Sequence, residues 1–210
     1  MLITFEGLDS SGKSTQAQIM SDRLKDSGSD VMLIREPGGT PLSEHLRTLL
    51  LDRIHLSITS MAEFMMFSAS RAQLTETVIR PALEKKSTVI CDRFYDSSTA
   101  YQGWGRGLPV DQIKRVNSIV TGGLKPDLTL FLDIPVKEVV GRKISAGYGT
   151  DRIESAGSTF YTKVREGYLA LIREEPERIR LVDGMQPIMD IHDQLWKVIQ
   201  SLGIQEGKLQ

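Results

Sequence analysis

Five short apolar runs punctuate the chain: Leu2 to Phe5, Val31 to Ile34, Thr88 to Cys91, Leu128 to Leu132 and Ile179 to Val182. Longer stretches with helical spacing of apolar residues separate them. This alternation predicts an α/β chain. Within these runs apolarity is largely continuous rather than alternating, which suits strands covered on both faces in a parallel sheet flanked by crossover helices. Five parallel strands are expected. Helices are expected to start near Lys13, Leu42, Thr59, Val110, Val136, Ser158 and Ile188. Pro81 is expected to kink or end the third of them after Arg80, because proline has no N–H to donate. Met61, Ala62, Phe64, Met65, Met66, Phe67, Ala69 and Ala72 leave almost no polar face on their helix. Such a helix needs cover all round, either inside the monomer or at a seam between two copies, where Met and aromatic residues are enriched. A stripe of Ile191, Leu195, Trp196, Ile199 and Leu202 predicts a last core helix, and the polar tail 204–210 is expected to be disordered.

At 210 residues the chain suits one domain, residues 1–203, able to bury roughly 70% of its unfolded surface. Its 26 basic and 27 acidic residues give a net charge of -1. That leaves no broad basic field for polymeric nucleic acid or an anionic membrane, so the partners are expected to be small. The lone Cys91 cannot form an internal disulfide, the N-terminus does not read as a secretory signal, and no apolar stretch approaches the roughly 20 residues that span a bilayer. A cytoplasmic protein is expected.

Gly7-Leu8-Asp9-Ser10-Ser11-Gly12-Lys13-Ser14 fits G-x-x-x-x-G-K-[ST], directly after the first apolar run and before a helical pattern beginning at Thr15. A phosphate-binding loop, or P-loop, requires that context. Its glycines permit turns that aim backbone N–H groups inward, and the helix N-terminus adds positive potential, so Gly7 to Thr15 are expected to bind a nucleoside triphosphate. Lys13 is expected to reach the β- and γ-phosphates and the Ser14 hydroxyl to ligate the accompanying Mg²⁺. Asp92, ending the third run, is placed either to hold that metal through water or to serve as a structural carboxylate. Asp9 would be repelled by triphosphate at low dielectric. It is expected to face a sugar hydroxyl of a second substrate, a metal-bound water, or solvent.

Four more motifs follow: Arg35-Glu36-Pro37-Gly38-Gly39-Thr40, Phe67 with Arg71, Asp92-Arg93-Phe94, and Ala100-Tyr101-Gln102-Gly103. With the P-loop, in this order and spacing through roughly residues 1 to 190, they closely resemble thymidylate kinase. The resemblance implies the P-loop nucleoside monophosphate kinase fold, a three-layer α/β/α arrangement with a five-stranded parallel sheet in order 2-3-1-4-5 and a mobile lid. It implies transfer of the γ-phosphoryl of ATP to dTMP, giving ADP and dTDP for dTTP synthesis. It also implies a homodimer, for which Met61 to Ala72 is the candidate seam. Phe67 and Arg71 are four residues apart and share a helix face. In the family's manner, Phe67 would stack on thymine while Arg71 donates to its O4, where cytosine presents an amino donor. Ser98 and Gln102 would complete the base contacts. Tyr101 stands where the family sets a ring beside C2′, leaving no room for a ribose hydroxyl; the alternative is a helix-core tyrosine. Arg93 and Arg35 would clamp the acceptor phosphate. Glu36 is expected to orient these arginines, Pro37 after it lies in the same site, and the bond between them can be cis. Arg47 is a weaker candidate for that clamp, with surface charge the favoured reading.

Residues 142–152 interrupt two helical patterns with Gly-rich, basic sequence and are read as the lid. Some thymidylate kinases carry an arginine within the P-loop, where this chain has Ser10 and Ser11. The resemblance therefore assigns the catalytic charge, in the bacterial-type arrangement, to Arg142 and Arg152 beside Lys13 and Arg93. No general base is needed, because the dTMP phosphate is already largely dianionic, and catalysis would consist of positioning and charge neutralisation. Phe94 departs from the Tyr or His often found after the Asp-Arg pair, and the lid carries fewer arginines than in many relatives. Residues 183–187 are expected beside adenine. Trp104 has no assigned role, and His45, His55 and His192 lack metal spacing and are read as structural. The rival readings are a kinase for another nucleotide or nucleoside and a nucleotide-binding switch; the guanine-reading Asn-Lys-x-Asp motif is absent.

Overall fold

Each of the five apolar runs forms a strand: β1 (Leu2–Gly7), β2 (Val31–Arg35), β3 (Thr88–Asp92), β4 (Leu128–Asp133) and β5 (Ile179–Asp183). The structure is a computed structural model that describes residues 1–52, 57–146, 152–153 and 157–202. Neighbouring strands pair in parallel in the order β2-β3-β1-β4-β5. Parallel pairing needs long crossovers, and helices supply them. They are α1 (Lys13–Asp26), α2 (Pro41–Leu51), α3 (Ser60–Leu74), α4 (Arg80–Glu84), α5 (Tyr95–Ser98), α6 (Val110–Val120), α7 (Val136–Ala146), α8 (Ser158–Glu174) and α9 (Ile188–Ser201). The Thr40 and Thr59 hydroxyls cap α2 and α3 by accepting from Ser43 N and Ala62 N. Threonine competes for orphan N–H groups there, and the capped helices start within one residue of expectation.

Alternation along the strands sorts the core. Ile3, Phe5, Leu128, Leu130 and Leu132 face α1 and α9, meeting Met20, Leu24, Leu195, Trp196 and Ile199. On the opposite face, Phe131 packs with Tyr161, Val164 and Tyr168 of α8, while Leu2, Val89 and Cys91 pack with Leu74, Ile79 and Phe94. Cover on both faces therefore holds for the central strands. It fails at the edges, where β2 is only partly buried and Leu181 of β5 is 47% exposed. Leu202 likewise leaves the expected core stripe, because it caps α9 and lies open to solvent.

Pro81 does not end its helix. Residues Thr75–Ile79 form a π-turn in which Arg80 N–H donates to Thr75 O, and the chain runs on helically to Glu84. The wider turn accommodates the missing proline N–H. A second π-helical stretch, Thr99–Gly105, continues α5 and carries Tyr101 and Gln102. The monomer covers α3 on one side only: Phe64, Ser68, Arg71 and Leu74 are buried, whereas Met61, Ala62, Met65 and Ala69 are exposed. His55, residues 147–151 of the expected lid and the tail 204–210 lie outside the described residues. Among the described residues, no helix is long and apolar enough to cross a membrane.

Candidate active site

The P-loop joins the end of β1 to the start of α1. A Cβ on Gly7 would lie 2.5 Å from Ser11 Oγ and 2.8 Å from Leu132 O, so only glycine lets the loop leave the strand this tightly. Gly12 takes a φ of 95° as the N-cap of α1, a region that L side chains rarely enter. Lys13 follows and is buried beside Asp92, Asp9 and Glu6; burial pushes its pKa down, Arg93 adds to this, and the three carboxylates oppose it. Ser14 Oγ donates to Asp92 Oδ2 at 2.5 Å, while Asp92 Oδ1 is buried without a partner among the described residues. A hydroxyl beside a carboxylate with a spare oxygen suits a hard divalent cation that keeps several waters.

One cavity of about 300 Å³ opens beside this loop. Ser10, Lys13, Ser14 and Asp92 line it, and so do Asp9, Arg35, Pro37, Phe67, Arg71, Arg93, Ser98, Tyr101 and Gln102, the residues expected around the acceptor. Arg47, read as surface charge, lines it as well and donates to Pro37 O at 2.9 Å.

Arg71 is 1% exposed. Its Nε donates to Glu36 Oε2 at 2.8 Å, Nη1 to Asn117 Oδ1 at 2.9 Å, and Nη2 to Ser98 Oγ at 3.0 Å and Phe94 O at 3.4 Å. A guanidinium has five N–H bonds, so one Nη1 hydrogen remains without a protein partner among the described residues. Glu36 thus pairs with Arg71, not with Arg35 or Arg93 as expected. Arg35 is half-exposed and pairs with Glu44 at 3.0 Å, because its side chain leaves β2 toward α2 while Glu36 turns inward. The Glu36–Pro37 bond is cis. Burial pushes the Glu36 pKa up to about 7 against the pull of Arg71.

Arg93 adopts a φ of 70° at the end of β3. Its Nη1 donates to Gly7 O at 2.9 Å and its Nη2 to Asp9 Oδ1 at 2.5 Å. Asp9 also accepts from Tyr161 at 2.7 Å and Tyr101 at 3.3 Å, so its charge is met by a guanidinium and two phenols.

Two carboxylates and two phenols were not anticipated from sequence. Glu6 is fully buried; it accepts from Phe94 N at 2.8 Å, Ser97 Oγ at 2.6 Å and Tyr168 OH at 2.7 Å, and burial raises its pKa. A charge at the close of an apolar run was the available signal. Tyr161 and Tyr168, seven apart on α8, share a face that points at this site. Glu63 is buried inside the apolar helix; burial favours its neutral form, but hydrogen bonds from Arg106, Gln102 and Arg152 hold its pKa below the usual range.

The two arginines expected in the lid are placed apart, and neither lines the cavity. Arg142 donates to Ser10 O at 3.2 Å and Gly184 O at 3.0 Å, joining the P-loop to the segment after β5. Arg152 donates to Leu50 O at 2.9 Å and Glu63 at 2.6 Å, on the side of α2 and α3. Among the described residues, no group of three or more His, Cys, Asp or Glu side chains could hold a metal.

A P-loop heading a parallel sheet of this order, with an arginine and aromatic pocket opening into the same cavity, defines a P-loop nucleotide kinase. Sequence similarity narrows the class. The sequence model of the thymidylate kinase family matches residues 5–195. The thymidylate kinase of Chlorobaculum parvum is 45% identical over 98% of each chain, and that of Caldanaerobacter subterraneus subsp. tengcongensis is 46% identical over 94% of each. The crystal structure of thymidylate kinase from Ehrlichia chaffeensis superposes with a TM-score of 0.78 at 34% identity, covering 95% of this chain and 98% of that one. The chain belongs to the thymidylate kinase family.

Proposed function

We propose that this protein is a thymidylate kinase that transfers the γ-phosphoryl of ATP to dTMP, giving ADP and dTDP for dTTP synthesis. One observation carries the reading: Lys13 and Ser14 of the P-loop line the same cavity as Phe67 and Arg71. Two nucleotides entering from opposite ends would meet there, which is the geometry in-line transfer needs.

On this reading Gly7 to Thr15 hold the ATP phosphates, and Lys13 supplies charge to the transferring group. Ser14 and Asp92 would hold Mg²⁺, Asp92 partly through water, and the ion would supply positive charge to the phosphates. Phe67 stacks on thymine. The remaining Nη1 hydrogen of Arg71 and the Ser98 hydroxyl face O4, and Gln102 lies beside them. Arg93 and Arg35 take the acceptor phosphate, Arg93 from a position where it also touches Gly7 O and Asp9. The buried Tyr101 borders the sugar. Lid residues 142–152 and a single unit spanning 1–203 belong to the same reading, with Arg142 closing on the P-loop and Arg152 on the acceptor side. Its other parts are a homodimer through the exposed stripe of α3, small nucleotide partners with no nucleic acid polymer or membrane, and a cytoplasmic location.

An acceptor panel tests it: with ATP and Mg²⁺, dTMP is expected to give the highest kcat/KM among dTMP, CMP, AMP and thymidine. Preference for any of the others overturns the substrate assignment, and tight GTP binding without phosphoryl transfer would favour a switch.

A further inference from the structure

Asn117 of α6 is 3% exposed and does not line the cavity. Its carboxamide nevertheless reaches the arginine that faces the acceptor: Oδ1 accepts from Arg71 Nη1 at 2.9 Å. On its other side, Nδ2 donates to Tyr95 O at 3.2 Å and to Thr99 Oγ1 at 3.3 Å. These contacts decide which way the amide points, because a flipped amide would set N–H against the guanidinium and oxygen against the Tyr95 carbonyl. The acceptor oxygen is therefore aimed at Arg71 by the segment that also carries Ser98 and Tyr101.

We propose that Asn117 is a positioning residue that sets discrimination between thymine and cytosine nucleotides by fixing which N–H of Arg71 is presented to the base. The inference rests on Arg71 reading the base. Glu36 holds Nε, and Ser98 with Phe94 O holds Nη2, so among the described residues Nη1 is the nitrogen with a hydrogen left over. Asn117 takes one of its two hydrogens and directs the other. Without Asn117 both Nη1 hydrogens are uncommitted and the planar group can tilt about Nε. A donor fixed against O4 rejects the amino group of cytosine because two donors then face each other in a dry site. A tilting donor, or one satisfied by water, rejects it less.

A second cavity of about 290 Å³ lies behind the amide, lined by Asn117, Tyr95 and Thr99. Water can reach a truncated side chain from there, so Asn117→Ala can fold while losing the fixed direction of the bond.

The experiment compares wild type, Asn117→Ala, Asn117→Asp and Arg71→Ala for kcat/KM with dTMP and with dCMP, KM for ATP, and melting temperature. Loss of one hydrogen bond to a charged group corresponds to about tenfold. Asn117→Ala is expected to lower kcat/KM for dTMP by that factor and to shrink the dTMP to dCMP ratio, with KM for ATP unchanged. Asn117→Asp keeps an oxygen toward Arg71 while setting its second oxygen against the Tyr95 carbonyl, and is expected to restore most of the ratio at a lowered melting temperature. A purely structural asparagine would lower the melting temperature and leave the ratio intact, and that result overturns the inference. If Arg71→Ala abolishes the ratio and Asn117→Ala does not, only the role of Asn117 falls. If Arg71→Ala also leaves the ratio unchanged, the base-reading assignment falls with it.

Discussion

Replacing Glu36 with glutamine removes one titration while keeping an oxygen for Arg71, and its effect on stability can be worked from the structure. Glu36 is buried, its Oε2 accepts from Arg71 Nε, and its Oε1 has no partner among the described residues. Burial raises its pKa from 4.5 to about 7. Below 4.5 the folded and unfolded chains both hold the proton. Between 4.5 and about 7 the unfolded chain has released it and the folded chain has not, so stability falls as pH rises. Above 7 both are ionised and the difference stays constant. At about 1.4 kcal/mol per pH unit, that separation is worth about 3 kcal/mol. The glutamine adds a buried amide donor without a partner, a cost of about 1–3 kcal/mol that does not vary with pH. Urea denaturation of the unliganded wild type and Glu36→Gln at a series of pH values from 4.5 to 8 isolates the titration, since the other groups titrate in both proteins. The wild type is expected to lose about 3 kcal/mol relative to the variant across that range. Parallel stability curves, or a wild type that gains on the variant as pH rises, would refute the argument that burial outweighs the arginine.

Two other outcomes follow from the same geometry. Asp92→Asn keeps the Ser14 contact but removes the charge behind it, and is expected to raise the Mg²⁺ concentration for half-maximal turnover by about 10–100-fold; an unchanged Mg²⁺ titration would make Asp92 structural. Met65 is 45% exposed in the middle of the open stripe of α3. Met65→Glu is expected to convert a dimer into a monomer in light scattering, and a wild type that already elutes as a monomer would remove that seam.

Much of the fold was legible because its signals are local. Largely apolar runs marked the strands, and a lysine following a glycine after the first of them marked the P-loop. The same logic failed where local and tertiary preferences conflict. Pro81 allowed either a kink or an end; a π-turn interrupts the regular helix before it, and the packing of Ile79 and Ala82 carries the chain on helically. For α3, composition showed that two faces needed cover without saying that only one would find it within the monomer. The candidate site was legible as a set of residue types: every expected acceptor-side residue lines one cavity. Its internal pairing was not. Glu36 could have served any of several arginines, and Arg142 and Arg152 looked equivalent as neighbours in a basic stretch.

The sequence by itself determined the alternation of strand and helix, the P-loop and the residue types that line the cavity, because each depends on periodicity or on residues adjacent in the chain. Only the tertiary structure decided the partners. Arg71 meets Asn117 across 46 positions and Asp9 meets Tyr161 across 152. Hydrogen bonds and ion pairs act over a few ångströms of space, and which residues come within that reach is set by how the helices cross over the sheet.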